Sequence, residues 1–141
     1  MKMRAGKIGA ALAAGVLLGS TMAHADCAPL IGAAALSAQV SNGTSIACFI
    51  GVAPNGSIDG ACQVYAKGKA PANKEISGNL KSKSCVLSGN FTVAGPGGVP
   101  KVTVKSGVLV DANDTVTIGG GVGMTAQNAH VVNFQVILGA I

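Results

Sequence analysis

The chain has 141 residues, of which 49% are apolar, 11% charged and 3% aromatic, with ten Lys+Arg against five Asp+Glu. Soluble domains carry about 25% charge on average. This chain is therefore too apolar and too weakly charged for intrinsic disorder, and too short for more than one ordinary domain.

Met1–Lys7 carries Lys2, Arg4 and Lys7 and no acid, Ile8–Leu18 is an apolar run, and Ala23-His24-Ala25 is a small-x-small site. These are the three parts of a secretory signal peptide. The reading places residues 1–25 in a cleaved signal and residues 26–141 in a single β-rich domain. The apolar run is about half of the ~20 residues that a membrane-spanning helix requires, so no integral membrane span is expected in the mature chain. Cys27 follows Asp26 rather than standing at the cut, which argues against a lipid-modified cysteine. Without the signal, seven Lys, no Arg and five acids remain, a net +2. Bidentate phosphate and base-edge recognition favour the planar Arg fork, so nucleic acid is not an expected partner.

Ala28–Val40 is Ala-rich and reads either as a short helix or as an N-terminal strand. The four cysteines are Cys27, Cys48, Cys62 and Cys85. An even count in a small exported domain reads as two disulfides, with three pairings open. Pro54-Asn55-Gly56 is a strong turn signal, because Pro fixes φ and Asn and Gly tolerate positive φ. A hairpin centred on Asn55 sets Cys48 opposite Cys62, Ile46 opposite Val64, Ile50 opposite Gly60 and Val52 opposite Ile58. Side chains alternate along a strand, so these residues share one face, and Ala47, Phe49, Gly51, Asp59, Ala61 and Gln63 share the other. The expected disulfides are Cys48–Cys62 and, by remainder, Cys27–Cys85. No CxxC occurs and His130 is the sole histidine after the signal. A structural zinc site wants close ligand pairs, so neither metal nor cofactor is expected.

Lys67, Lys69, Lys74, Lys81 and Lys83 follow, with Glu75 the one acid among them. They read as a solvated face or as a docking patch for an anionic glycan, lipid or surface polymer. Ile76-Ser77-Gly78-Asn79-Leu80 is echoed by Leu87-Ser88-Gly89-Asn90-Phe91, which suggests two antiparallel strands with matching breaks. Gly95-Pro96-Gly97-Gly98 is a turn. Val99–Val104 alternates, Ser106-Gly107 interrupts, and Val108 and Val110 resume the pattern. Asp111-Ala112-Asn113-Asp114 marks another turn before Thr115–Ile118. Gly119–Gly123 follows a strand, as a phosphate loop would, but it lacks the closing Lys-Ser/Thr and a βαβ setting. It reads as a flexible loop or as a stretch that permits close backbone approach. Val131–Leu138 is the clearest strand, with Val132, Phe134, Val136 and Leu138 on one face.

The β-branched content and the turn spacing predict an all-β domain, a small antiparallel sandwich or open barrel stapled by two disulfides. The catalytic inventory is thin: His130 and the five acids Asp26, Asp59, Glu75, Asp111 and Asp114, with no GxSxG. A Ser–His–Asp set through His130 would have to assemble in space. A lipid-embedded barrel would want aromatic girdles, and one Tyr and three Phe do not supply them.

The leading expectation is a non-enzymatic protein of the periplasm, cell surface or extracellular space. It would act as a structural or accessory part of an assembly, through self-association or contact with another envelope or surface protein. The expected contact is strand pairing by Val131–Leu138, which is apolar, uncharged and free of Pro. The alternative is a monomeric binding or inhibitor module that docks an anionic partner through the Lys67–Lys83 region.

Overall fold

The structure, a computed structural model, describes Cys27, residues 29–111 and residues 116–139. The proposed signal cleavage site and the Ala112–Asp114 part of the predicted turn lie outside these residues.

Eight strands follow one another: β1 Gly32–Val40, β2 Ser45–Val52, β3 Ser57–Tyr65, β4 Ala72–Lys83, β5 Val86–Val93, β6 Val99–Asp111, β7 Thr117–Thr125 and β8 Val131–Leu138. Each pairs antiparallel with the next, and β8 returns to β1, so the sheet closes into a barrel. The all-β antiparallel class and both disulfides agree with the sequence reading, and closure takes the sheet one step beyond an open barrel. Of the undecided Ala28–Val40 segment, Gly32–Val40 resolves as strand. Ala34, Leu36, Ala38 and Val40 alternate inward and are buried, and neighbours on both edges satisfy the β1 backbone.

The interior is aliphatic and filled. Phe91 and Phe134 reach in from β5 and β8 and meet edge to face, with ring centroids 6.0 Å apart. The Ser-Gly-Asn echo has a packing reason: Gly78 lies opposite Phe91, and Gly89 lies opposite Leu80. A Cβ on Gly89 would stand 1.9 Å from the Asn79 carbonyl oxygen, so the two strands approach closely at the echoed glycines.

The β2–β3 hairpin has the register set by the Pro54–Gly56 turn, with Cys48 opposite Cys62 and Val52 opposite Ile58. The Cys48–Cys62 disulfide joins the pair. Asn55 closes the turn by accepting the Ser57 N–H at 2.9 Å. Cys27–Cys85 ties the segment before β1 to the β4–β5 turn. That segment also packs Leu30 into the core. We call this the stapled end of the barrel; the Pro54–Gly56 turn lies there too. The opposite end carries the turns at 41–44, 66–71, 94–98 and 126–130.

Two segments settle or change their sequence reading. Gly119–Gly123 is the middle of β7, so the flexible-loop alternative is set aside and close backbone approach is the one observed. A Cβ on Gly121 would lie 2.0 Å from the Ser106 carbonyl oxygen, so close approach of β6 to β7 requires the glycine. Val99–Asp111 is one strand broken by a bulge between Val104 and Ser106. The extra residue reverses the inward–outward phase. Val102 and Leu109 are therefore buried, while Val108 and Val110 face outward.

Candidate functional site

The strand singled out for pairing is fully used by the fold. Val132, Phe134 and Val136 are buried inside the barrel, and Leu138 packs against that core. One edge of β8 pairs with β1 and the other with β7. The expectation of strand addition at Val131–Leu138 is thereby corrected: its apolar face fills the interior and closure leaves it no open edge.

The five lysines do not converge. Lys67 and Lys69 stand in the turn before β4, and Lys74 begins that strand while Lys81 and Lys83 end it. The run from Lys74 to Lys83 covers roughly 30 Å of extended chain at ~3.3 Å per residue. Lys69 and Lys74 share a hollow of about 240 Å³ with Pro96 and Gly97 at the far end. Lys81 lines another, of about 370 Å³, with Ile31 and the Pro54–Gly56 turn at the stapled end. The expected single docking patch is thus two separate groups.

His130 Nδ1 lies 3.4 Å from Ser41 Oγ, whose oxygen also accepts the Val131 N–H at 3.0 Å. The His130 N–H donates to Thr125 Oγ1 at 2.9 Å. These contacts clasp the 41–44 and 126–130 turns together. Among the described carboxylates, Asp59 and Glu75 line a hollow on the β3–β4 wall, and Asp111 accepts the Thr117 hydroxyl at 3.0 Å. None is hydrogen-bonded to His130 among the described residues.

The outer face holds what the sequence reading passed over. Register pairs Val110 with Ile118, Ile118 with Ile137, Ile137 with Ala35, Ala35 with Phe49 and Phe49 with Ala61. All six point outward, so one apolar row crosses six strands. Phe49 is 67% exposed. Beside it the small side chains of Ala35, Ala47 and Ala61 floor a hollow of about 480 Å³, edged by Ile137 and Gln63. No side chain that lines it is charged. One sequence signal pointed here. An antiparallel sheet with one wet face should alternate, yet Ala47-Cys48-Phe49-Ile50 is apolar without a break.

The chain matches no family model, no curated protein and no solved structure.

Proposed function

We propose that this is an exported, non-enzymatic protein that works by association, as a structural or accessory component of a cell-surface or extracellular assembly. Its contact surface is the outer wall of β7, β8, β1, β2 and β3, not a strand edge, and the occupant is a second copy of the chain. One observation carries the reading: an exposed aromatic knob, Phe49, stands next to an uncharged hollow floored by alanines. A two-fold interface uses the same patch on both partners. Each Phe49 can then enter the other copy's hollow, whose lining carries no charge. The five strands are more than half of the closed ring of eight, so a flat partner meets about three of them, roughly 390 Å² at ~4.8 Å per strand and ~3.4 Å per residue. A standard interface covers about 800 Å² per partner, so a weak, reversible dimer is the expected unit. The two disulfides suit an oxidising compartment.

The layout argues against a lipid-embedded barrel. Such barrels carry an apolar outer band about 25 Å tall around a polar interior. Here the interior is apolar. The outer apolar row has Gln135, Ser37 and Gln63 on one side and Gly51, Asp59 and Ser77 on the other.

The test is size exclusion with light scattering on the oxidised residues 26–141 across a concentration series. The expected result is a monomer–dimer equilibrium that Phe49→Ser shifts to monomer. A monomer at every concentration overturns the reading.

A further inference from the structure

We infer that the stapled end carries a surface for an anionic lipid bilayer, made of Val86, Val108 and Val110 with Lys81, Lys83 and Lys105 on the same outer face, and adjoining the apolar row at Val110. The reading does not rest on the dimer: these residues lie on the outer face of β4, β5 and β6.

Three features carry it. First, the apolar part is out of place for a surface bathed only by water. Val86, Val108 and Val110 are 54%, 57% and 58% exposed. Val86 stands opposite Val108 in the register, and Val110 follows two residues along the same strand face, beside outward Ile118. The β6 bulge puts them there, since an unbroken strand would have turned Val108 and Val110 inward.

Second, cations share the outer face. Lys83 is opposite Val86 and Lys81 is opposite Ser88, with the Lys81 stem beside Gly56. Lys105 is the unpaired residue of the bulge. No hydrogen bond or ion pair links any of the three to a carboxylate among the described residues. Asp111, next to Val110 in the chain, accepts the Thr117 hydroxyl and puts a carboxylate at the edge of the patch.

Third, the patch is held firmly. It begins at the tight Ser84–Cys85 turn, where both residues have positive φ. The Cys27–Cys85 disulfide and a hydrogen bond from the Leu109 N–H to the Cys85 carbonyl at 2.9 Å pin that turn. Little ordering is left for binding to supply.

Exposed aliphatics bounded by Lys match the interfacial layer of a bilayer, where apolar side chains enter the acyl boundary and cations meet headgroup phosphates. A soluble polyanion would use the lysines and leave the valines in water. A second copy laid face to face would set Lys against Lys. A lipid surface accounts for both halves of the patch. With valines and no aromatic to insert, binding is shallow, reversible and sensitive to salt.

The experiment is vesicle flotation of the oxidised residues 26–141, run in parallel on the Phe49→Ser variant so that loss of the dimer and loss of lipid binding are read separately. Vesicles of phosphatidylcholine alone are compared with mixed phosphatidylcholine and phosphatidylglycerol. The expected result is binding to the mixed vesicles only, weakened by salt. The Lys81→Glu/Lys83→Glu pair should lower it by about fivefold or more per lysine, and Val86→Ser/Val108→Ser should lower it as well. Circular dichroism and urea midpoints, unchanged in both pairs, establish that the exposed substitutions leave the barrel folded. No binding, equal binding to both vesicle types, or binding that ignores the valine pair overturns the inference. So does competition by dextran sulfate that survives the lysine reversals.

Discussion

The wall of β7, β8, β1 and β2 and the wall of β4, β5 and β6 share one interior and differ on the outside. Inward, both present buried aliphatics such as Leu36, Ile50 and Val136 on one side and Leu80, Leu87 and Val102 on the other. Outward, the first shows Ile118, Ile137, Ala35 and Phe49 in register. The second shows Asn79 opposite Asn90 and Asn90 opposite Thr103, with lysines along its length. The inner pattern is common because every strand must help to fill the barrel. The outer pattern is free of that demand, so its departures from polarity are where the proposed contacts are placed. The polar wall returns to apolar character only at the stapled end, where the bulge turns two valines outward.

The greatest change is expected in the shared interior. Phe91 belongs to the polar wall but is fully buried against Phe134. Phe91→Ala should cost about 3–5 kcal/mol of unfolding free energy, measured by urea denaturation. A cost below about 1 kcal/mol would mean that the interior is less tightly packed than its geometry.

Next come the two staples. Chain-entropy reasoning gives about 4 kcal/mol for the Cys27–Cys85 link and about 3 kcal/mol for Cys48–Cys62, because they close spans of 58 and 14 residues. Paired Cys→Ser variants, melted under identical conditions, check the order. A reversed order would show that Leu30 packing holds the stapled end without its disulfide.

The smallest stability effects belong to the two outer walls. Phe49→Ser and Thr92→Ser should each change unfolding free energy by no more than about 0.5 kcal/mol. They should differ in association: the Phe49 variant loses the dimer and the Thr92 variant keeps it, read by sedimentation velocity. Equal behaviour of the two would erase the functional distinction between the walls.

The hairpin register was legible residue by residue. Pro54-Asn55-Gly56 supplies a mirror point, and a one-residue slip would have turned Ile46, Cys48, Ile50 and Val52 out of the core. Both disulfides followed from that register and from the even count. The fate of Val131–Leu138 was only half legible. Its alternation announced a strand with one apolar face, yet whether that face meets a partner or the protein's own interior depends on β1. The lysine run misled for a related reason: residues close in sequence lie far apart when a long strand carries them from one end of a barrel to the other.

Turn chemistry and period-two alternation are local, so the all-β class, the β2–β3 register and the β8 strand were legible from the residues, with Cys48–Cys62 favoured by that register, while β1 and the Gly119–Gly123 stretch stayed open. Only the tertiary structure decided closure, the outward turn of Val108 and Val110, and the alignment of Val110, Ile118, Ile137, Ala35, Phe49 and Ala61 in one row. Closure joins the first and last strands through the β8–β1 register, and the phase of β6 turns on a bulge that no period-two pattern reveals.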